Sequence, residues 1–128
     1  MNYEILFMTD DSKEYYMYRL LLEENGNSVS LRSNMKELYS YLLNHYPSIA
    51  ILDFDIPQIS DKNLSIVEFL YDQNIPMIII VEDIDDDTLI EFMDDYDCVI
   101  MKKPISEDDL MEEINLILGN KYRRVYNG

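Results

Sequence analysis

Short apolar runs alternate with longer amphipathic stretches five times along the 128-residue chain. The first, third and fourth runs are apolar throughout, which is typical of parallel strands buried on both faces of a sheet. Between the runs, apolar residues recur on one helical face, which favours amphipathic helices. The pattern predicts strands β1 to β5 at residues 5–8, 29–31, 49–52, 77–81 and 98–101, and helices α1 to α5 at residues 12–24, 35–46, 64–73, 85–94 and 106–118.

Strands that alternate with helices of this length predict right-handed βαβ crossovers. The predicted fold class is therefore α/β, with a doubly wound five-stranded parallel sheet. The chain length fits a single domain, which we place at residues 1–120. Residues 121–128 form a basic tail, for which two interpretations stay open: the start of a linker to an output domain, or a natural terminus.

Acidic residues dominate the charge, with 26 Asp and Glu against ten Lys and Arg, for a formal net charge of −16. Such a surface repels phosphates, so we expect no direct nucleic acid binding and no binding to anionic membrane surfaces. It suits divalent cations or a basic protein face, although solubility alone explains many of these charges equally well. No apolar run reaches the ~20 residues of a membrane helix. The N-terminus does not resemble a signal peptide, and a single cysteine favours a cytoplasmic location.

Charged side chains follow three of the predicted strands. Asp10 and Asp11 come after β1, Asp53 and Asp55 come after β3, and Lys103 comes after β5. In an open α/β sheet the ligand site lies at the carboxyl ends of the strands. If β1 and β3 are neighbours, carboxylates and one ammonium group converge at this edge.

Converging carboxylates need a cation, because two unit charges 4 Å apart repel by about 4 kcal/mol at an effective dielectric near 20. Mg²⁺ is the best candidate, since it takes oxygen ligands and often binds through one or two carboxylates plus a phosphate. No histidine or cysteine accompanies the cluster, which argues against zinc or copper. A carboxylate in such a site could attack a phosphoryl group, and Lys103 could pair with the phosphoryl oxygens.

Simpler roles for these residues stay open. Asp11 with Glu14 three residues later is also a capping box, so Asp11 could simply begin α1. Asp53 and Asp55 could be ordinary loop acids, and a lysine after a strand, such as Lys103, is unremarkable alone.

Three segments together resemble the signatures of the receiver domains of bacterial response regulators. They are residues 5–11 (ILFMTDD), 51–57 (ILDFDIP) and 101–105 (MKKPI). They occur in the order and spacing of that family, and the resemblance covers nearly the whole chain. It implies the flavodoxin-like (βα)5 receiver fold and a role in two-component signalling.

The resemblance also implies a role for each residue. Asp53 would be the phosphoacceptor, and Asp10 and Asp11 would bind Mg²⁺ together with Asp53 and the backbone carbonyl of Asp55. Lys103 would pair with the phosphoryl group, and its bond to Pro104 would be cis.

Three switch positions depart from the family pattern. Val81 stands where β4 normally ends in Ser or Thr, whose hydroxyl bonds the phosphoryl group. Glu82 follows where a small residue is usual, and Ile100 replaces the aromatic switch residue of β5. The usual readout, a hydroxyl drawn to the phosphate while an aromatic ring turns inward, therefore cannot operate as in the family.

Two functional hypotheses follow. In the first, a histidine kinase or phosphotransfer protein phosphorylates Asp53, and the α4-β5-α5 face changes its protein contacts, with a homodimer through this face as one outcome. Such a domain is not itself an enzyme, and an output domain would make transcription control the commonest result. In the second, the domain is a docking or dimerisation module that works without phosphorylation. The sequence disfavours a third hypothesis, a flavodoxin-like or nucleotide-binding enzyme, because the chain has only three glycines and no glycine-rich phosphate loop.

Overall fold

The computed structural model describes residues 3–9, 12–53, 61–82, 87, 91 and 94–127, without the side chains of residues 12, 61–63 and 120–127. Its strands are β1 (Glu4–Thr9), β2 (Ser28–Arg32), β3 (Ile49–Asp53), β4 (Met77–Val81) and β5 (Val99–Lys102). Its helices include α1 (Ser12–Glu24), α2 (Met35–Leu42), α3 (Asp61–Asp72) and α5 (Glu107–Asn127). At and just after the predicted α4 (residues 85–94), the described residues 87, 91 and 94–96 are helical.

The five strands form one parallel sheet in the order β2-β1-β3-β4-β5. The predicted fold class is confirmed, and β1 and β3 are indeed neighbours. The order reverses between β1 and β3, which is the point where α/β sheets of this type bind ligands.

Strands β1, β3 and β4 contribute buried residues to two cores, because successive side chains point to opposite faces of the sheet. The first core, which we call the α1/α5 face, contains the buried residues Ile5, Phe7, Tyr15, Tyr18, Leu22, Ile49, Ile51, Ile78, Ile80, Leu110, Ile114 and Leu118. The second, the α2/α3 face, contains Leu6, Met8, Leu38, Tyr41, Ala50, Leu52, Ile66, Val67, Leu70, Ile75, Met77, Ile79, Val81 and Cys98. Burial on both faces explains why β1, β3 and β4 lack polar alternation.

Helix α2 ends at Leu42, so the prediction that it continues to residue 46 is wrong. The backbone N–H groups of Asn44 and His45 both donate to the carbonyl oxygen of Tyr41, at 3.2 and 3.1 Å, and this closes the last turn. Pro47 also disfavours a helical conformation for the residue before it. The chain therefore leaves the helix in time to enter β3.

Helix α5 continues to Asn127, nine residues beyond the predicted end at residue 118. The added segment carries three basic residues, which are favourable near the negative end of a helix dipole. Residues 121–127, predicted as a tail, are thus helical in continuity with α5. Among the described residues, no helix is both long and apolar enough to cross a bilayer.

The buried residue Asn27 connects the end of α1 to the start of β1. Its side chain accepts a hydrogen bond from the Tyr3 backbone N–H (3.2 Å) and donates one to the Leu22 carbonyl (3.0 Å). Because buried hydrogen bonds are costly to lose, we expect Asn27→Ala to lower the free energy of unfolding by about 1 to 3 kcal/mol in urea titrations. The matched control is Asn25→Ala, which removes an exposed bond to Leu21. Equal losses in the two variants would contradict the argument from burial.

Candidate functional site

Asp53 is the last residue of β3, at the carboxyl edge of the sheet. The two-residue period of the strand places it on the same face as Ile49 and Ile51, which is the α1/α5 face. Thr9 and Ile80 are its partners on the neighbouring strands. Asp53 is only 4% exposed, so its carboxylate needs partners within the protein.

Lys103 provides the positive charge beside Asp53. Its Nζ lies 3.1 Å from Asp53 Oδ1, and its side chain is 20% exposed. The backbone holds this lysine in place, because its N–H donates to the Val81 carbonyl at 2.8 Å, directly beyond the β4–β5 ladder. The Lys103–Pro104 bond is cis, as expected from the resemblance. The ends of β3 and β5 thus bring together two of the residues singled out from the sequence.

A third residue of the site, Glu14, was not identified from the sequence, where it was interpreted only as a capping partner. Its Oε2 lies 2.7 Å from Lys103 Nζ. This oxygen is buried and accepts no aligned hydrogen bond from the residues that the structure describes, so the contact is a close ion pair. One signal could have revealed it: Glu14 precedes the buried residues Tyr18 and Leu22 by four and eight positions, on the helix face that packs on the sheet.

Burial and charge shift the acidities of this cluster. Burial raises the pKa of Asp53 to about 6; Lys103 opposes this shift, and the Glu14 carboxylate adds to it. Burial also works to lower the pKa of Lys103, but its two carboxylate partners outweigh burial and raise it. The site therefore places the Lys103 ammonium group between the carboxyl groups of Asp53 and Glu14.

Tyr18 packs in the core of the α1/α5 face, close enough to the charged cluster to interact with Asp53, Glu14 and Lys103. It is 5% exposed and stacks on Phe7, with ring centroids 5.4 Å apart. Burial raises the pKa of its hydroxyl, and the negative charge of Asp53 adds to that effect. The phosphoacceptor candidate thus lies above a packed aromatic layer of the α1/α5 face.

The predicted metal ligands lie mostly outside the described residues. Asp10, Asp11 and the backbone carbonyl of Asp55 belong to that part, and their positions stay predictions. Among the described residues, no group of three or more His, Cys, Asp and Glu side chains could hold a metal ion. What the structure does place at the sheet edge is an oxygen donor set, the carboxylates of Asp53 and Glu14, and such a set fits Mg²⁺ better than zinc.

The side chains of two of the three switch positions, Val81 and Ile100, lie on the face of the sheet opposite Asp53. Val81 is buried in the core of the α2/α3 face, on the opposite face from Asp53, and Ile100 packs against the same core. Glu82 is exposed. The side chains of Val81 and Ile100 therefore both belong to the apolar packing of the α2/α3 face.

The chain is similar in structure to receiver domains of known structure. A response regulator receiver domain from Francisella is 24% identical, with a TM-score of 0.78 over 94% of this chain and 99% of that one. One from Clostridium thermocellum is 26% identical, with a TM-score of 0.76 over 94% of this chain and 97% of that one. A CheY-like receiver domain from Methanospirillum hungatei is 18% identical, with a TM-score of 0.80 over 97% of this chain and 99% of that one.

No protein-family model matches the chain, and no curated protein sequence matches it. The structural similarity nevertheless extends over almost the full length of both partners in each pair. The chain has the flavodoxin-like receiver fold, and the resemblance to response-regulator receiver domains is confirmed.

Proposed function

We propose that this domain is a phosphoacceptor of two-component signalling, which takes a phosphoryl group from a histidine kinase or phosphotransfer protein onto Asp53. One observation carries the proposal. In a receiver fold, the buried carboxylate at the end of β3 is paired with the Lys103 ammonium group at 3.1 Å. A buried carboxylate with a raised pKa and a specific charged partner at a ligand-binding edge is typical of a functional site.

The proposed step is the attack of an Asp53 carboxylate oxygen on the phosphorus atom of a phosphohistidine. A new O–P bond forms, the P–N bond breaks, and the imidazole leaves with the electron pair of that bond and takes up a proton. The product is an acyl phosphate. Lys103, positioned by its backbone bond to Val81, would stabilise the negative charge of the phosphoryl oxygens during transfer.

Mg²⁺, when bound, would draw the phosphoryl group towards Asp53 and offset the repulsion between two anions. By resemblance, Asp10, Asp11, Asp53 and the Asp55 carbonyl would hold it. The described residues contribute the Asp53 carboxylate to this set, and the −16 net charge favours cation binding in general.

The signal would pass to other proteins through the α4-β5-α5 face. A second copy of the chain is one candidate partner. With an added output domain, the outcome would be transcription control. The acidic surface supports a protein partner and not direct contact with nucleic acid. One observation favours the alternative of a docking or dimerisation module that needs no phosphorylation. Val81 and Ile100 are packed in the α2/α3 face, and Val81 has no hydroxyl that could donate a hydrogen bond to a phosphoryl group.

Beryllofluoride with Mg²⁺ mimics a phosphoryl group and tests the proposal. We expect Mg²⁺-dependent changes in amide NMR spectra around Asp53 and Lys103 in the native chain, and none in an Asp53→Asn variant. Changes that extend into β5 and α5 would show that a conformational response survives without the usual switch residues. If saturating mimic and Mg²⁺ leave the native spectrum unchanged, the phosphoacceptor role is wrong and the docking module becomes the better hypothesis.

A further inference from the structure

Lys103 has two carboxylate partners, and the closer one is not the phosphoacceptor. Its Nζ lies 2.7 Å from Glu14 Oε2 and 3.1 Å from Asp53 Oδ1. An ammonium group has three N–H donors, so donor number does not force a choice between them. The charge does matter, because a phosphoryl group on Asp53 would bring further negative charge towards the buried oxygen of Glu14.

The two acids differ in their access to water. Asp53 is 4% exposed at a strand end, while the side chain of Glu14 is 42% exposed, although its Oε2 is buried against the lysine. Glu14 lies in the first turn of α1 and reaches inward from the helix surface. Rotation about its own side-chain bonds can move its carboxylate into solvent without any change in the sheet.

We propose that Glu14 is an anionic gate of the phosphoacceptor pocket, whose carboxylate holds Lys103 in the place of a phosphoryl oxygen and must withdraw before Asp53 carries a phosphoryl group. This inference rests on the function proposed above and adds to it a residue that controls how readily the site accepts an anion. Glu14 acts through Lys103 and the local charge, so it is a positioning residue and not the nucleophile.

The gate predicts that a neutral side chain at residue 14 improves anion binding. Glu14→Gln keeps the size of the side chain and removes its charge. Because Glu14 is partly exposed, solvent screens the repulsion, and we expect beryllofluoride to bind about three- to tenfold more tightly in saturating Mg²⁺. Glu14→Asp keeps the charge but is one methylene shorter, so it should lose the 2.7 Å contact and give a smaller gain.

The measurement is a titration of the native chain and the variants with beryllofluoride, followed by amide NMR, with and without Mg²⁺. Glu24→Gln is the matched control, because it removes one exposed charge from the other end of α1 and should bind like the native chain. The advantage of Glu14→Gln should shrink at high salt, since screening weakens the repulsion. A purely structural role of Glu14 would not give this salt dependence, and thermal unfolding without ligand checks that the variants fold.

The outcomes separate the two proposals. If the native chain and Glu14→Gln bind the mimic equally well, the gate is wrong and the phosphoacceptor function stands. If Glu14→Gln weakens the binding of Mg²⁺ alone, Glu14 is a metal ligand and the gate is also wrong. If neither protein binds the mimic, the proposed function is wrong, and the gate, which rests on it, is wrong as well. If only Glu14→Gln binds the mimic, both the proposed function and the gate are supported.

Discussion

Replacing Lys103 with glutamine is expected to slow the phosphorylation of Asp53 by about 100-fold, because the loss of one preorganised group that stabilises transition-state charge typically costs two to three orders of magnitude. Lys103 lies 3.1 Å from the Asp53 carboxylate, the proposed nucleophile, and is mostly buried, so water cannot easily replace its charge. Glutamine keeps nearly the same length but offers only a neutral amide. The expected result is therefore a kinetic loss at the site and not a general loss of binding.

The rate is measured with a small phosphodonor such as phosphoramidate and Mg²⁺, with the acyl phosphate followed by mass spectrometry of the intact chain. Lys102→Gln is the matched control, since this neighbouring lysine is exposed and its change should leave the rate within about twofold of the native value. Asp53→Asn sets the baseline without a phosphoacceptor. Because Lys103→Gln leaves Asp53 and Glu14 without their shared cation, circular dichroism must show that the variant is folded at the assay temperature. Native-like rates in the folded variant would remove Lys103 from the mechanism.

The pairing of Asp53 with Lys103 was accessible from the sequence for a simple physical reason. Apolar runs buried on both faces predict parallel strands, and parallel strands end at a common edge. Residues that directly follow two parallel strands must then lie near each other if the strands are close in the sheet. The strand order, which the sequence left conditional, makes β3 central, with β1 on one side and β4, then β5, on the other.

Glu14 was missed because its position depends on how α1 packs and not on where a strand ends. In the sequence, the spacing from Asp11 matched a capping box, which is a local pattern. The contact with Lys103 joins residues 89 positions apart and requires the rotation of α1 about its axis to be known. The apolar stripe through Tyr18 and Leu22 defines that rotation, but only when it is known that this stripe packs on the α1/α5 face of the sheet.

The errors in helix length have a similar origin. Apolar periodicity continues past Leu42, yet two backbone hydrogen bonds to Tyr41 close the turn there. In α5, the change from acidic to basic residues after residue 120 resembles a boundary in composition, while the backbone continues as a helix. The charge pattern thus marked a change in the surface charge of the chain and not an end of the helix.

A second large effect is expected on stability, where Asp53→Asn should stabilise the protein near neutral pH. The pKa of Asp53 is about 6 in the folded protein, above its ordinary value of 3.8. Between these two values the folded state binds more protons at this site than the unfolded state does. The free energy of unfolding therefore falls as the pH rises through this window, and above pH 6 the full cost of the buried charge is present.

The size of the effect follows from the shift. One pKa unit corresponds to about 1.4 kcal/mol, so ionised Asp53 costs at most about 3 kcal/mol of stability at pH 7. Asparagine has nearly the same shape and no charge, so it should recover about 1 to 3 kcal/mol, less whatever its imperfect pairing with Lys103 loses. Below pH 4 Asp53 is protonated in the folded protein, and the difference between variant and native chain should approach zero.

Urea unfolding of both proteins from pH 4 to pH 8, without divalent cations, measures this difference. The other acidic residues are present in both proteins, so their contributions to the pH dependence cancel in the comparison, apart from the couplings of residue 53 to its neighbours Lys103 and Glu14. The expected curve for the difference is flat at low pH, rises through the region of pH 4 to 6 and is level above it. A difference that stays near zero across the whole range would mean that Lys103 and solvent compensate the charge fully, and that the Asp53 carboxylate is not held at a cost in the unphosphorylated site. A native chain that loses stability as Asp53 ionises would mean that the fold disfavours the free anionic carboxylate. A cation such as Mg²⁺ that binds the folded site would then offset this cost and stabilise the folded state.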